Sequence, residues 1–100
     1  MVELQVTVLK SFPEKAKGLL GEKKAFPILF KTRFGIHTIG LIFPIDVLVL
    51  NKENRVVKLA KNLKPMNIFL WSPLYDTVVE LPAGHIERYM IKVGSIVKFT

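Results

Sequence analysis

The sequence predicts an α+β domain dominated by sheet, and three observations support this. Apolar and polar residues alternate over residues 2–8 and 26–30, as in strands with one buried face. Residues 45–50 (IDVLVL) are apolar on both faces, which is typical of a central strand covered on both sides. Helix start signals mark two short stretches, which begin at Ser11 and Pro82. Strands with two inserted short helices indicate an α+β chain.

The two predicted helices have recognisable ends. Ser11 and Glu14 have the spacing of a capping box, and Gly18 or Gly21 can end the first helix. Residues 82–90 (PAGHIERYM) predict the second, with a glycine near its N-terminus.

Residues 55–63 follow a polar turn and carry two conflicting patterns. Apolar residues recur at i, i+3, i+4 and i+7, as on one face of a helix: Val56, Leu59, Ala60 and Leu63. The adjacent β-branched Val56 and Val57, directly after the turn, instead favour the second strand of a hairpin. Periodicity alone favours the helix.

The C-terminal third of the chain predicts two more strands, over residues 76–81 and 95–99. In the first of them, Glu80 falls on the same face as Val78, opposite Thr77, Val79 and Leu81.

Composition limits the class of protein. One hundred residues of 11.4 kDa predict a single domain over residues 1–100. No apolar stretch reaches the roughly 20 residues that span a bilayer, and the N-terminus does not read as a secretory signal, so we expect a cytoplasmic protein without membrane contact. The lack of cysteine excludes disulfides and thiolate chemistry. The lysine, isoleucine and valine content is compatible with a thermophilic source.

The charge is strongly positive, with 15 Lys+Arg, 8 Asp+Glu and a net charge of +7. Such an excess is compatible with an anionic partner, and nucleic-acid binding through a basic face is the alternative function. A solvated, lysine-rich surface is the preferred interpretation, because charge alone indicates solubility and steering rather than function. Basic residues recur at every third position: Lys52, Arg55, Lys58, Lys61 and Lys64. On a helix they would form one patch, whereas on a strand they would alternate between faces.

A lone histidine and a lone aspartate stand out in the apolar stretch 37–50 (HTIGLIFPIDVLVL). Asp46 opens a buried strand, where a carboxylate needs a partner: His37, Thr38, Arg33 or a backbone turn. One interpretation is that these residues hold the loop 35–44 in place. The other is that His37, Thr38 and Asp46 line a small ligand pocket.

Gly84 is a further candidate ligand-binding residue, because a helix N-terminus exposes free N–H groups; a simple turn role is the alternative. Catalytic motifs are lacking: the sequence has no GxSxG elbow, Walker A or GxGxxG pattern. Its two histidines do not have metal-site spacing. We therefore expect a binding module for a small ligand, without metal or cofactor, and rank a small hydrolase third.

Residues 66–71 (MNIFLW) lie between two prolines and are strongly apolar. In an extended chain Phe69 and Trp71 face one way and Leu70 the other, and a small domain buries only one of these faces. We expect Leu70 or Trp71 to lie in an exposed apolar patch, which would suit a homodimer contact.

Two long motifs resemble the domain-of-unknown-function family 192. One branch of that family carries His-Thr-Phe-Gly-Met-x-Phe-Pro-Ile-Asp, here residues 37–46, and Leu-Glu-Leu-Pro-Ala-Gly, here residues 79–84. The family's Gly-Leu-Met corresponds to residues 18–20 (GLL). This chain departs from the pattern in having no cysteine before His37 and a serine at position 95 in place of the usual aspartate.

The resemblance implies a compact, barrel-like β domain with short helices. It also implies that residues 45–60 form a hairpin, which decides in favour of a strand at residues 54–60. It carries no established activity.

Overall fold

A computed structural model describes residues 1–11 and 18–100, and these ranges are rich in sheet with very little helix. The expected β-dominated fold is confirmed. The elements are β1 Val2–Leu4, β2 Thr7–Val8, β3 Ile28–Lys31, β4 Gly35–His37, β5 Ile45–Leu50, β6 Val56–Leu63, β7 Ile68–Leu70, β8 Thr77–Pro82, α1 His85–Arg88 and β9 Val97–Phe99.

The main sheet has five strands in the order β2-β3-β8-β5-β6. Its pairs are antiparallel except for β2 and β3, which run parallel. Strand β1 pairs in parallel with β9, and β4 pairs antiparallel with β7 to form a two-stranded ribbon. The central strand β5 is buried at all six positions, as its two apolar faces predicted.

The barrel-like expectation is wrong, because the described strands form three separate sheets and the main sheet does not close. Its outer strands are the two-residue β2 and the long β6. These two outer strands do not pair with each other, which leaves the sheet open.

Of the two expected helices, one short helix is found in the described ranges. The first expectation falls on residues 12–17, which lie outside the described residues, and residues 18–21 form a turn. The second is reduced to α1, which lies between Gly84 and Met90, both at positive φ. Left-handed backbone interrupts a right-handed helix on either side.

The main sheet separates two apolar cores. One side carries Leu48 and Leu81 and packs against Ile86 of α1; we call it the helix side. The other carries Val47 and Val78 and packs against Trp71 and the β4–β7 ribbon; we call it the ribbon side.

Residues 45–63 form the expected hairpin of β5 and β6. The Asn51 side chain stabilises its turn by accepting hydrogen bonds from the backbone N–H groups of Glu53 (3.0 Å) and Arg55 (2.9 Å). The helical periodicity is overridden because pairing with β5 satisfies the backbone while burying Val56.

Leu70 and Trp71 lie on opposite sides of the chain, one exposed and one buried, as expected for an extended segment. Trp71 is buried, and its indole N–H donates to the Tyr75 carbonyl at 2.9 Å. Leu70 is 60% exposed, near other exposed apolar side chains such as Ile68 on the same ribbon. The exposed position of Leu70 is confirmed, while a homodimer contact through Leu70 and Trp71 stays a prediction.

Candidate functional site

Asp46 lies on the helix side of the sheet and is only 1% exposed. Its carboxylate accepts three backbone hydrogen bonds. The Asn62 N–H donates to Oδ1 at 2.8 Å, and the N–H groups of Gly84 (3.0 Å) and Ile86 (2.8 Å) donate to Oδ2. Of the partners considered from the sequence, backbone turns are the ones found.

A β-bulge explains why an acceptor is needed at this point. Ile45 pairs with Leu63 and Val47 pairs with Ala60, so two steps along β5 oppose three along β6. The extra residue takes Asn62 out of the regular ladder into left-handed backbone, at φ 53°. Asp46, opposite the bulge, accepts the N–H that the ladder leaves without a partner.

The same carboxylate holds α1 against the sheet. Gly84 has φ 96° and precedes the helix, so its N–H and that of Ile86 both reach Oδ2. Asp46 and Gly84 also line a surface cavity of about 290 Å³, with the Lys61–Glu87 ion pair (3.8 Å) beside them. Both carboxylate oxygens are already engaged, which indicates a role in fixing β5, β6 and α1 together.

Thr38 is fully buried and closes a different turn. Its hydroxyl donates to the Lys64 carbonyl at 2.7 Å and accepts from the Asn67 N–H at 2.9 Å. Its own N–H donates to the Asn67 carbonyl at 2.9 Å. Thr38 therefore ties the end of β4 to the segment before β7.

We expect Thr38→Val to lower the free energy of unfolding by about 1–3 kcal/mol, because valine keeps the shape but leaves the Asn67 N–H without its acceptor and removes one of the two donors to the Lys64 carbonyl. Urea unfolding of both proteins measures the difference. Thr7→Val, at an exposed threonine, is the control and should stay within about 0.5 kcal/mol of the parent. Equal effects of the two changes would contradict the structural role of the Thr38 hydroxyl.

His37 is exposed and stands on β4 opposite Ile68. It lines a second cavity of about 180 Å³, on the ribbon side. Asp46 faces the helix side, so the structure does not bring His37 and Asp46 into one pocket. The four candidate residues therefore lie at three separate places. His37 lies at this cavity, Thr38 lies in the turn before β7, and Asp46 and Gly84 lie together beside α1.

Glu80 is the polar residue that the sequence argument missed. It lies on the central strand β8, only 5% exposed, between its register partners Ile28 on β3 and Val47 on β5. Burial between these apolar neighbours raises the pKa of Glu80 from 4.5 to about 7, because the charged form loses its hydration. No described residue donates a hydrogen bond to its carboxyl, and no fully buried side-chain oxygen of the described ranges lacks a partner, so the carboxyl oxygens of Glu80 are open to the cavity that this residue lines.

Glu80 lines the same ribbon-side cavity as His37. Its walls combine five apolar side chains with the polar side chains of Thr32, His37 and Glu80; the apolar ones are Leu19, Leu20, Phe30, Ile36 and Leu41. Gly35 lies on the ribbon wall, where a Cβ atom would stand 2.5 Å from the Phe69 carbonyl oxygen. Glycine at this position therefore allows β4 and β7 to pair closely beside the cavity.

The basic residues of β6 do not form one surface. Lys58 pairs with Val49 on the ribbon side, and its Nζ donates to the Leu70 carbonyl at 2.5 Å. Lys61 pairs with Glu87 of α1, on the helix side. Their separation follows from the alternation of side chains along a strand.

Two further features of the described ranges concern possible metal ligands and membrane-spanning helices. Over residues 1–11 and 18–100, no group of three or more His, Asp or Glu side chains is placed to hold a metal ion. In the same ranges, no helix has the length and apolar character that crossing a bilayer requires.

Two solved structures share this fold. One is a protein of unknown function from Novosphingobium aromaticivorans, with a TM-score of 0.78 and 20% identity over 89% of this chain and 70% of that one. The other, from Sinorhizobium meliloti, is called a "putative transcription regulator" and has a TM-score of 0.78 and 19% identity over 89% of this chain and 76% of that one. At these identities the likeness shows the fold alone.

Among curated proteins, none matches the chain significantly. The profile of DUF192, described as "Uncharacterized ACR", matches residues 1–99, almost the full sequence. The resemblance seen in the two long motifs is thereby confirmed, and the chain belongs to the DUF192 family.

Proposed function

We propose that this protein is a binding module that holds a small polar molecule in the ribbon-side cavity, with Glu80 as the group that contacts it. The proposal keeps His37 from the sequence prediction. It places the ligand-contacting carboxyl at Glu80 rather than Asp46, whose oxygens are engaged by the backbone.

The observation that carries the proposal is the buried carboxyl of Glu80 at a cavity wall. Burial removes most of the hydration of the charged carboxylate, which costs stability, and an apolar side chain between Ile28 and Val47 would avoid this cost. A ligand that hydrogen-bonds to the carboxyl would offset it. A raised pKa caused by burial in a cleft is also typical of functional sites.

The size of the cavity limits the ligand. A cavity of about 150 Å³ accommodates benzene, so the 180 Å³ found here suits a molecule slightly larger than a single ring. Apolar side chains together with a few polar groups, here Thr32, His37 and Glu80, are the usual composition of a small-molecule site. Among the described lining residues Glu80 is the single carboxyl, so a paired-carboxylate mechanism lacks its second group.

The test is a set of NMR titrations with benzyl alcohol, benzylammonium, benzoate and xylitol on ¹⁵N-labelled protein. We expect at least one probe to shift the amide signals of residues 28–31 and 35–37, and Glu80→Leu to abolish these shifts by removing the carboxyl that contacts the ligand. Glu87→Gln, at an exposed carboxyl of α1, is the matched control and should leave them unchanged. The absence of such shifts with all four probes, or their persistence in Glu80→Leu, would contradict the proposal.

A further inference from the structure

We propose that the molecule bound at Glu80 is a small organic cation, with an ammonium or guanidinium group on a short apolar body. This inference rests on the proposed function and specifies the ligand of the same cavity. It follows from the charges that the cavity wall does and does not provide.

Glu80 gives the described cavity wall a negative charge when it is ionised. Lys and Arg do not occur among the described residues that line the cavity, and the register neighbours of Glu80 are Ile28 and Val47. An ionised Glu80 therefore has no cation beside it in the described fold. A ligand that brings its own positive charge supplies the missing partner, and charge-assisted hydrogen bonds are about twice as strong as neutral ones.

Anions and neutral alcohols suit an ionised Glu80 less well than a cation does. An anion would face the carboxyl without a basic side chain among the described lining residues to compensate it. A neutral alcohol can hydrogen-bond to Glu80 but does not neutralise it. A cation does both, and because Glu80 is only 5% exposed, its attraction to a bound cation is screened less than that of a surface carboxylate.

The apolar part of the ligand would contact the apolar side chains of the cavity wall. Leu19, Phe30 and Leu41 are buried apolar residues of the wall, so an apolar body gains by leaving water there. The cavity volume of about 180 Å³ limits that body to roughly the size of one ring. Benzylammonium meets both conditions, and benzyl alcohol is its neutral counterpart of nearly the same shape.

The experiment compares the dissociation constants of benzylammonium and benzyl alcohol by NMR titration at pH 6 and pH 8. We expect benzylammonium to bind at least tenfold more tightly than benzyl alcohol at pH 8. Because a carboxyl with a pKa of about 7 is mostly ionised at pH 8 and mostly protonated at pH 6, benzylammonium should bind about tenfold more tightly at the higher pH. Benzyl alcohol should not show this increase.

Two variants assign the effect to one residue. Glu80→Gln keeps the size and hydrogen-bonding capacity of the side chain, and it should remove both the preference for the cation and its pH dependence. His37, the other titratable residue along the described lining, is changed to Gln in a parallel series. His37→Gln should retain both effects, and their loss in this variant would overturn the assignment to Glu80.

The outcomes separate this inference from the proposed function. Equal binding of benzylammonium and benzyl alcohol at pH 8 in the parent protein would overturn the cation inference and leave the binding module standing. A failure of all probes to shift the amides of the cavity wall would overturn both. Undiminished preference for benzylammonium in Glu80→Gln would show that the charge recognised is not that of Glu80.

Discussion

Replacing Asp46 with Ala is expected to lower the free energy of unfolding by about 3–5 kcal/mol. The change leaves three backbone N–H groups, those of Asn62, Gly84 and Ile86, without the acceptor they share. It also releases α1, whose Ile86 is fully buried in the helix-side core. The loss therefore includes the packing of α1 as well as the hydrogen bonds.

Asp46→Asn separates charge and acceptor geometry from packing. An amide has one carbonyl oxygen and one NH₂ group, whereas Asp46 uses both oxygens as acceptors. The NH₂ group of asparagine must therefore face a backbone N–H group, so that two donors meet. We expect the free energy of unfolding to fall by about 1–3 kcal/mol, less than for alanine.

Urea unfolding of the parent, Asp46→Ala and Asp46→Asn measures these differences. Asp76→Ala is the matched control, because Asp76 is a partly exposed carboxylate with ion pairs to Lys31 (3.8 Å) and Arg33 (3.6 Å). Surface pairs of this kind contribute at most about 1 kcal/mol. If Asp46→Ala cost no more than Asp76→Ala, Asp46 would not be holding the bulge and α1 together.

The sequence contains enough to predict the centre of the fold. Residues 45–50 are apolar on both faces, and they form the fully buried strand β5. The need of Asp46 for a partner also follows from sequence, because a carboxylate in such a strand must be satisfied. The identity of its partners cannot be predicted from the sequence, because they lie in a bulge 16 residues away and in a helix about 40 residues away.

The position of Glu80 shows why the site itself was not predicted. A polar residue that alternates with apolar ones predicts a solvent-facing side of a strand. That inference assumes a sheet with one covered face, whereas β8 lies between β3 and β5 and has cores on both sides. Long-range strand order decides whether the second face is exposed, and a single alternating segment does not encode that order.

Overall closure of the sheet is likewise a long-range property. The resemblance implied a barrel-like domain, and the hairpin it implied is present, but whether outer strands meet depends on their lengths and directions. Strand β2 has two residues and pairs with β3, while β6 pairs with β5, so the two edges of the main sheet remain apart.

Changing Glu80 to Gln is expected to stabilise the protein above neutral pH and to leave its stability nearly unchanged in acid. In the folded protein, burial raises the pKa of Glu80 from 4.5 to about 7. Between these pH values the unfolded chain loses the Glu80 proton while the folded chain retains it. The folded state then binds more protons, so the free energy of unfolding falls as pH rises from about 4.5 to about 7, and the loss is complete above that range.

The magnitude follows from the size of the shift. One pKa unit corresponds to about 1.36 kcal/mol, so a shift from 4.5 to about 7 corresponds to a loss on the order of 3 kcal/mol by pH 8. Glutamine carries no ionisable proton and avoids this loss. The difference in unfolding free energy between Glu80→Gln and the parent should therefore rise from near zero at pH 4 to about 3 kcal/mol at pH 8.

Urea unfolding of both proteins at unit steps from pH 4 to pH 8 measures this difference, and subtraction removes the other titrating groups. His85 is one such group: burial lowers its pKa, with Arg88 acting in the same direction, so its contribution rises with pH and would otherwise mask part of the effect. Glu87→Gln, at a largely exposed carboxyl, should give a difference that stays flat across the series. A flat difference for Glu80→Gln as well would mean that Glu80 ionises in the fold as easily as in the unfolded chain, and the buried, uncompensated carboxyl on which the cavity's proposed role depends would not exist.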